Sequence, residues 1–420
     1  MNNQISHLPS YLVLISLFLC ACRAPTRVAK MTSSPTQDKS SPVIASASPT
    51  PVAVSTPQIL WAFQTGSAIW GTATVNNGTV YTGSDDGTLY AINAQTGALN
   101  WKFLSNGIIR SQPALSTGLV YFASDDGYLY AIDEQNGQLV WQTDIGNALP
   151  CEVREKLGTN TSPTGWDYKQ SSPVVMDKRV YVGSLDGNVY ALDSTTGKAI
   201  WTYQTGGKVR ATPVINDSGL YIGSWDESFY ALDLKTGNLR WNTPVGGEVQ
   251  STALAANGLI YTASRKASIV ALDSQTGDLS WEFNYGTNMW VESSPVLSKE
   301  VLYIGSAGSK WVVGLDGLTG KMTASFYSKT YYMGTPAIHG DALLIGGVTF
   351  RQEDKGGLFM FKLSNKSFPN SLLPDQFFPV DKTLESEGNW SGVLSTPVIQ
   401  DGITYIGGLD GKLYALILDI

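Results

Sequence analysis

The sequence repeats one phrase several times at a nearly constant spacing. Residues Val80 to Trp101 read VYTGSDDGTLYAINAQTGALNW, and Val120 to Trp141 read VYFASDDGYLYAIDEQNGQLVW. Each phrase consists of short runs rich in Val, Tyr, Leu and Ile, separated by turn residues such as Asp86-Gly87 and Thr96-Gly97. A period of this length indicates a repeat architecture in which each unit is one supersecondary element and neighbouring units share a core. The unit predicted here is a four-stranded antiparallel sheet.

The units can be counted from the first-strand residue that opens each one. There are eight such residues: Ala73, Pro113, Pro173, Pro213, Ala253, Pro295, Pro336 and Pro397. An aromatic residue closes the fourth strand of seven units: Trp101, Trp141, Trp201, Trp241, Trp281, Phe326 and Phe368. The eighth unit ends at Ile420 before a fourth strand, whereas Ile59 to Gly66 form a strand without a unit. We therefore predict an all-β fold over residues 58–420, an eight-bladed β-propeller of four-stranded antiparallel blades, closed by the N-terminal strand that completes the last blade.

The repeated phrase also contains paired carboxylates, Asp85-Asp86 and Asp125-Asp126. Each pair stands directly before a glycine, and Asp-Gly is typical of two-residue hairpin turns that need positive φ. We interpret the pairs as turn formers rather than as a metal or acid–base site.

Two further phrases carry a family resemblance. VYVGSLDGNVYALDSTTGKAIW (Val180 to Trp201) and LYIGSWDESFYALDLKTGNLRW (Leu220 to Trp241) resemble the PQQ-type propeller repeat. That repeat is found in quinoprotein alcohol dehydrogenases and in the BamB-type lipoproteins of outer-membrane barrel assembly, which are closest in layout to this chain. The resemblance implies the propeller fold. For function it implies either a scaffold without a cofactor or, as the alternative, a dehydrogenase that binds PQQ with calcium.

The N-terminal region is typical of an export signal. The apolar run Tyr11 to Leu19 is short for a membrane span and stands where the hydrophobic part of a signal peptide belongs. Leu19-Cys20-Ala21-Cys22 resembles the lipobox of bacterial lipoproteins, which implies a signal peptide over 1–21 and lipidation of Cys22. An ordinary signal peptide or a membrane-anchoring stub is the alternative.

The segment after the lipobox predicts a tether. Residues 22–57 are rich in Ser, Thr and Pro and contain too few large apolar residues to form a core, so we expect a disordered linker. Arg23, rather than Asp, follows Cys22. By the resemblance to bacterial lipoproteins, this implies an exported protein with a lipid anchor in the outer membrane, on its periplasmic side, in a bacterium with two membranes.

Composition excludes several classes of function. The chain has 28 Lys+Arg against 35 Asp+Glu and no long basic run, so nucleic acid is not an expected partner. The only histidines are His7 and His339, too few for a histidine-rich metal site, and a catalytic triad would depend on His339 alone. Cys20 leaves with the signal and Cys22 takes lipid, so Cys151 has no intrachain disulfide partner. The sequence thus predicts no catalytic set, no metal site and no resident cofactor.

Function is expected where the repeats differ, just before each unit opens. The residue two places before each opening residue is small, as expected for strands that crowd around an axis. The residue three places before it varies, and we expect these residues to form a ring at one mouth of the channel: Trp70, Arg110, Gln170, Arg210, Gln250, Glu292, Met333 and Leu394. The candidate ligand or partner mouth consists of Trp70, Arg110, Arg210, Gln250, Trp290, Glu292 and Trp390. These side chains suit an anionic or polar ligand between flat apolar walls, and a hydrated channel of mutually satisfied side chains is the alternative.

Two insertions, 147–169 and 364–389, interrupt the period. The second contains the apolar strip FPNSLLPDQFFPV. The candidate partner loop consists of Phe368, Leu372, Leu373, Phe377 and Phe378, if the strip is exposed; packing against the blade is the alternative.

Together these features favour a monomeric, non-enzymatic propeller scaffold, tethered to a membrane, that binds another envelope protein and acts in outer-membrane protein assembly. A PQQ-dependent dehydrogenase and a propeller that binds a small ligand or glycan are the alternatives. By resemblance, the dehydrogenase class carries a pair of adjacent cysteines near its cofactor, and this chain has none.

Overall fold

The computed structural model describes residues 56–146, 169–216, 219–286, 290–308, 310–327, 330–349, 355–364, 374–381 and 390–419. They belong to the unit Ala53–Ile420, and their secondary structure consists of strands and turns. No helix among these residues is long and apolar enough to cross a membrane. The predicted signal segment, Cys22 and Cys151 lie outside the described ranges, as do Phe368, Leu372 and Leu373 of the candidate partner loop.

The described strands form eight antiparallel sheets, which are the blades of the propeller. The chain enters with β1 (Gln58–Gln64). Blade 1 contains β2 (Thr74–Asn76), β3 (Thr79–Gly83), β4 (Thr88–Asn93) and β5 (Leu99–Leu104). Blade 2 contains β6 (Ala114–Ser116), β7 (Leu119–Ala123), β8 (Tyr128–Asp133) and β9 (Leu139–Asp144). Blade 3 contains β10 (Val174–Met176), β11 (Arg179–Gly183), β12 (Asn188–Asp193) and β13 (Ala199–Gln204). Blade 4 contains β14 (Val214–Asn216), β15 (Gly219–Gly223), β16 (Ser228–Leu232) and β17 (Leu239–Pro244).

The second half of the chain continues the pattern with one irregular blade. Blade 5 contains β18 (Leu254–Ala256), β19 (Leu259–Ala263), β20 (Ser268–Asp273) and β21 (Leu279–Asn284). Blade 6 contains β22 (Val296–Ser298), β23 (Val301–Gly305), β24 (Trp311–Asp316) and β25 (Met322–Tyr327). Blade 7 contains β26 (Ala337–His339), β27 (Ala342–Thr349), β28 (Gly357–Lys362) and β29 (Gln376–Pro379), and the short β30 (Ser391–Gly392) pairs with β27. Blade 8 contains β31 (Val398–Gln400), β32 (Ile403–Gly407) and β33 (Lys412–Ile417).

The N-terminal strand completes blade 8. β1 pairs antiparallel with β33, giving the strand order β1-β33-β32-β31, and in this register Ala62 faces Tyr414 and Phe63 faces Leu413. The two ends of the propeller thus share one sheet and hold the ring closed without a covalent link. The predicted all-β, eight-bladed propeller with N-terminal closure is confirmed.

The burial pattern explains why the inner strands read as continuous apolar runs. Five of the six residues of β4 are buried, whereas β5 alternates between exposed and partly buried residues. An inner strand has a neighbouring blade on each face, so both of its faces need apolar side chains, as in a sheet covered on both sides. The outermost strand faces solvent and needs only alternation.

The second aspartate of each repeated pair joins one blade to the next. Asp86 Oδ2 accepts hydrogen bonds from the Tyr90 hydroxyl at 2.6 Å and from Gly66 N at 2.7 Å, at the end of β1. Asp126 Oδ2 repeats this arrangement, accepting from the Tyr130 hydroxyl at 2.6 Å and from Asn106 N, after β5 of the preceding blade, at 3.0 Å. These aspartates are turn formers, as predicted, and they also hold adjacent blades together.

Six tryptophans of the outermost strands pack against the following blade and bond to it. Each indole Nε1 donates to a backbone carbonyl of the following blade, and each ring covers that blade's turn glycine: Trp61, Trp101, Trp141, Trp201, Trp241 and Trp281. At Gly137, which has a φ of 73°, an added Cβ would lie 2.7 Å from Trp101 Cε3. Only glycine fits there, because the backbone is left-handed and the ring leaves no room.

The last two closing aromatics were predicted at the wrong positions. In blade 1 the closing residue Trp101 pairs with Ala91 of the third strand. The equivalent pair in blade 6 joins Gly314 to Ala324, so Ala324 occupies the closing position and Phe326 lies two residues further along β25. The fourth strand of blade 7 is β29, which begins after the Phe368 region, because the insertion lengthens the connection. The equivalent residue there is Gln376, which pairs with Met360.

Candidate functional site

The segments that lead into the first strands line a central channel. A cavity of about 160 Å³ lies on the axis, and Trp70, Arg110, Arg210 and Gln250 of the predicted mouth set line it. The structure therefore brings these four residues together. The remaining members of the set lie beside the cavity. Glu292 is fully buried, Trp290 is 38% exposed on the rim, and the Trp390 ring lies 5.6 Å from that of Trp70.

One half of the mouth is apolar. Met333, Leu394, Val348 and Leu409, from blades 7 and 8 and their connections, are buried in one cluster, and Trp70 and Trp390 pack against it. These residues fill their side of the channel with apolar contacts. That side therefore resembles a small hydrophobic core more than an open binding surface.

The junction between blades 1 and 2 contains a buried ion pair. Arg110 Nε donates to Asp85 Oδ1 at 2.8 Å, and Arg110 Nη2 donates to Asp85 Oδ2 at 2.7 Å. The guanidinium also lies 4.4 Å from the ring centre of Trp70. The side chains of Arg110 and Asp85 are 11% and 3% exposed. A fork-to-fork pair of this kind fixes Arg110 against the wall of the channel.

Asp125 has the same position in blade 2. Its Oδ1 accepts a hydrogen bond from Gln170 Nε2 at 2.9 Å, and Gln170 Oε1 in turn accepts from Ser111 N at 2.9 Å. The first aspartate of each pair thus orients ring residues at the mouth. For Asp85 and Asp125, the interpretation as turn formers alone was incomplete.

A second ion pair lies under the rim of blades 5 and 6. Arg265 Nη2 donates to Glu292 Oε1 at 2.9 Å, with side chains 12% and 0% exposed. Lys169 Nζ donates to the backbone carbonyl of Glu292. Burial lowers the pKa of Lys169 to about 8, with Glu292 opposing the shift and Arg265 adding to it. Glu292 is therefore engaged by cations within the protein.

Arg265 also orders an aromatic cluster on the rim. Its guanidinium carbon lies 4.9 Å from the ring centre of Trp225 and 5.7 Å from that of Trp290. The Lys208 ammonium lies 5.0 Å from the Trp225 ring. We call Trp225, Arg265, Trp290 and Lys208 the rim cluster. It combines flat apolar surface with positive charge.

The sequence analysis did not identify Trp225 and Arg265, although a signal was present. The residue twelve places after each opening residue varies as freely as the ring does: Asp85, Asp125, Leu185, Trp225, Arg265, Ala307, Val348 and Leu409. The backbone N–H groups of Asp85, Trp225 and Arg265 donate to the connections that lead into the ring, at 2.9–3.0 Å. This column therefore forms a second tier of the mouth.

A ring of hydroxyl groups below the mouth was also missed. The residue directly before each opening residue is Ser or Thr in all units except one, where it is Gln112: Thr72, Ser172, Thr212, Thr252, Ser294, Thr335 and Thr396. Thr252 N donates to Ser294 Oγ at 2.9 Å, and Thr396 N donates to Thr72 Oγ1 at 3.0 Å. These bonds join neighbouring blades around the axis, including blades 8 and 1.

Two residues of the candidate partner loop are in the core instead. Phe377 and Phe378 lie in β29, where Phe378 is 5% exposed. The Phe377 ring is 4.7 Å from that of Phe359, and the Phe378 ring is 5.1 Å from that of Tyr414. Of the two interpretations that the sequence left open, packing against the blade describes these two residues, since the fourth strand needs apolar residues facing its neighbour.

Known proteins that are similar to this chain share its fold. The family model described as "Outer membrane protein assembly factor BamB" matches residues 50–157, 155–242 and 219–347, and no curated protein matches the chain. BamB from Moraxella catarrhalis is 21% identical over 69% of this chain and 85% of its own, with a TM-score of 0.59. Quinohemoprotein alcohol dehydrogenase from Comamonas testosteroni is 15% identical over 86% and 76%, with a TM-score of 0.65.

A computationally designed protein, Ika8, is 14% identical over 86% of this chain and 100% of its own, with a TM-score of 0.64. At these identities the three structures show a shared fold and nothing further. The family matches, in contrast, together span residues 50–347, which is more than half of the chain. The PQQ-type repeats recognised in the sequence are thereby confirmed, and the chain belongs to the BamB family of β-propeller proteins.

Proposed function

We propose that this protein is a non-enzymatic scaffold, tethered to the outer membrane on its periplasmic side, that docks another envelope protein at the channel mouth during outer-membrane protein assembly. Membership of the BamB family supports the setting. The rim cluster carries the proposal for the docking surface.

Three properties of the rim cluster favour docking. It joins two tryptophans to an arginine, the residue types enriched in binding hot spots. Trp290 is 38% exposed and available for contact. Arg265 is held by the buried Glu292, so ordering it on binding costs little entropy. Lys208 adds positive charge next to Trp225, so the partner we propose presents an aromatic or apolar residue beside acidic ones.

The membrane tether is the second part of the proposal. The lipobox-like Leu19 to Cys22 and the Ser/Thr/Pro-rich segment after it support an acylated, flexible anchor. We expect Cys22→Ala to abolish incorporation of labelled fatty acid and to release the chain from the membrane fraction. Cys20→Ala is the matched control and keeps both. A Cys22→Ala chain that stays acylated at the membrane would contradict this part.

A PQQ–calcium centre, which the fold family suggests, does not fit the residues present. Calcium takes about six to eight oxygen ligands, and the described residues contain no group of three or more His, Cys, Asp or Glu side chains placed to hold an ion. Glu292 is engaged by Arg265. The cavity of about 160 Å³ is also smaller than the roughly 300–1,000 Å³ of ordinary ligand and cofactor sites. These features support the scaffold over the dehydrogenase.

The experiment is quantitative copurification of the full chain from native membranes. Wild-type protein is expected to recover an outer-membrane assembly protein, and Trp290→Ala is expected to reduce that recovery by about tenfold, the effect of losing a contact worth about 1.4 kcal/mol. Tyr327→Ala is the matched control, because Tyr327 ends β25 of blade 6, the blade into which the Trp290 segment leads, and is 36% exposed. Equal recovery by all three proteins would contradict docking at the rim.

A further inference from the structure

The polar half of the channel holds a side chain whose hydrogen bonds the protein does not complete. Gln250 is 2% exposed and lines the cavity. Its amide atoms Oε1 and Nε2 are both buried without a hydrogen-bond partner among the described residues. Native proteins keep few such atoms, because each costs the free energy of its desolvation. Since no bond to a described residue holds the amide, it can turn toward a molecule in the cavity without breaking one.

The ring of hydroxyl groups below the mouth lines the same cavity. Several of its oxygens accept from backbone N–H groups of a neighbouring blade, as Ser172 Oγ does from Gln112 N at 2.9 Å and Thr212 Oγ1 does from Ser172 N at 3.1 Å. Such a bond leaves each hydroxyl its own proton, and none of the seven groups in the ring donates that proton to a residue that the structure describes. Gln112, which also lines the cavity, is exposed, so the ring is within reach of solvent. The cavity therefore offers a surplus of neutral hydrogen-bond donors.

The cations that line the cavity have partners within the protein. Asp85 holds Arg110 in a two-bond ion pair, and the backbone carbonyl of Glu292 accepts from Lys169. Arg210 also interacts within the protein. An anion would have to compete with these partners, whereas a neutral polar group needs only the hydroxyl groups and the Gln250 amide.

We propose that the polar half of the channel binds a neutral carboxamide group. Two amides placed side by side exchange two hydrogen bonds, so Gln250 Nε2 donates to the carbonyl oxygen of the ligand and Gln250 Oε1 accepts from its N–H. The second lone pair of that carbonyl oxygen accepts from a hydroxyl of the ring, such as that of Thr252, which follows Gln250 by two residues. A free primary amide and the side chain of Asn or Gln in a peptide both carry this group, which is compatible with a cavity of about 160 Å³.

Ligand-detected NMR titration of the detergent-solubilised full chain tests the ligand class. The probes are propionamide, propionate and methyl acetate, which have similar shapes. Propionate replaces the N–H donor with a charge, and methyl acetate keeps the carbonyl acceptor without a donor. Propionamide is expected to bind about tenfold or more tightly than either of the others. Equal binding of the three, tighter binding of propionate, or no binding of propionamide to a channel that takes water alone would overturn the proposal.

A second pair of probes identifies the source of the carboxamide. N-acetylglutamine methylamide is compared with its methionine analogue, which has a side chain of similar length without the amide. Tighter binding of the glutamine compound indicates the side chain of a peptide. Equal binding of the two, with propionamide bound as expected, indicates a free amide.

Two variants separate binding from structure. Gln250→Leu removes the unsatisfied amide at similar volume, so the thermal midpoint without ligand is expected to equal or exceed that of the wild type, while propionamide binding weakens by about tenfold or more. Thr252→Val removes one hydroxyl at nearly the same shape and is expected to weaken binding by about threefold. Gln142→Leu and Thr202→Val make the same changes on the exposed faces of β9 and β13 and leave binding unchanged. A Gln250→Leu protein that binds propionamide as tightly as the wild type, or that melts clearly below it, would overturn the proposal.

Discussion

The two halves of the channel mouth have the same backbone and opposite chemistry. Around blades 7, 8 and 1, Met333, Leu394 and the Trp70–Trp390 pair form an apolar cluster. Around blades 2 to 6, Arg210, Gln250 and Glu292 are buried polar residues at equivalent places in the repeat. The apolar half is complete without a ligand, because apolar contacts need no further partner. Burying the polar side chains of the other half costs free energy. This difference indicates that the polar half is the one kept for binding.

The comparison also separates architecture from function within one repeated phrase. Asp86 and Asp126 each accept a hydrogen bond from a tyrosine hydroxyl of their own blade and join it to the preceding blade by accepting from Gly66 N and Asn106 N. The residues directly before them, Asp85 and Asp125, face the mouth, where the equivalent residue in blade 5 is Arg265. Adjacent positions of the turn therefore serve different purposes, because one side chain points between blades and the other points toward the axis.

The largest effect is expected from breaking the buried ion pair of the polar half. Glu292→Ala leaves Arg265 buried without its carboxylate, and we expect a loss of about 3–5 kcal/mol in the free energy of unfolding, measured by urea denaturation. Glu282→Ala, on the exposed face of β21, is the control and should stay within about 0.5 kcal/mol of the wild type. Equal effects of the two changes would contradict a buried pair.

The apolar half should respond to loss of volume. Met333 is 2% exposed, and Met333→Ala is expected to lower the free energy of unfolding by about 2–5 kcal/mol through lost contacts and a residual cavity. Met176→Ala serves as the control, since Met176 is 36% exposed on β10. A Met333→Ala protein as stable as the wild type would show that this half is not a packed core.

The Arg110–Asp85 pair stands at the border between the halves. Arg110→Ala removes two hydrogen bonds between charged groups, and we expect a loss of about 1.5–3 kcal/mol in chemical denaturation. The control is Arg240→Ala, because Arg240 pairs with Asp233 near the surface, where their side chains are 38% and 33% exposed. For this change we expect a loss of only about 0.2–1 kcal/mol in the free energy of unfolding. A smaller loss for Arg110→Ala than for Arg240→Ala would contradict the shielded geometry.

The smallest difference between the halves is expected at the tyrosine–aspartate pairs. Burial, followed by the bonded aspartate, raises the pKa of Tyr90 in blade 1 and of Tyr230 in blade 4 from 10.0 to about 12. A raised pKa contributes stability that is fully present below pH 10 and is lost as the pH rises toward 12. Tyr90→Phe and Tyr230→Phe should each reduce this alkaline loss in urea denaturation, to a similar extent. An alkaline loss that neither variant changes would contradict the assignment.

Much of the fold could be predicted from the sequence, because the repeat is strict where the backbone requires it. The turn Asp-Gly, the turn glycine under each indole and the incomplete eighth unit fix the strand order and the closure by β1. The position of the mouth was predictable for the same reason. Once the opening residues align, the residues just before them must meet at the axis.

Side-chain partners across blades could not be predicted in this way. Arg265 reaches Glu292 and Trp225 from different blades, and a repeat aligned along the chain does not show which rotamers meet. Ala324 replaces the expected aromatic in blade 6, where Phe326 and Phe361 lie 5.0 Å apart. Phe377 and Phe378 belong to β29 because the irregular blade takes its fourth strand from the insertion. Strand assignment after an insertion depends on packing, which a degraded repeat no longer encodes.

Site-specific photocrosslinking in cells is the most direct measurement of docking at the rim. A benzoylphenylalanine residue placed at Trp290 is expected to give a discrete crosslinked species with an outer-membrane assembly protein, and the same residue placed at Tyr327 is expected to give none. The two positions lie in the same part of the propeller and are similarly exposed, at 38% and 36%. Equal crosslinking at both positions, or crosslinking at Tyr327 alone, would contradict the rim cluster as the docking surface.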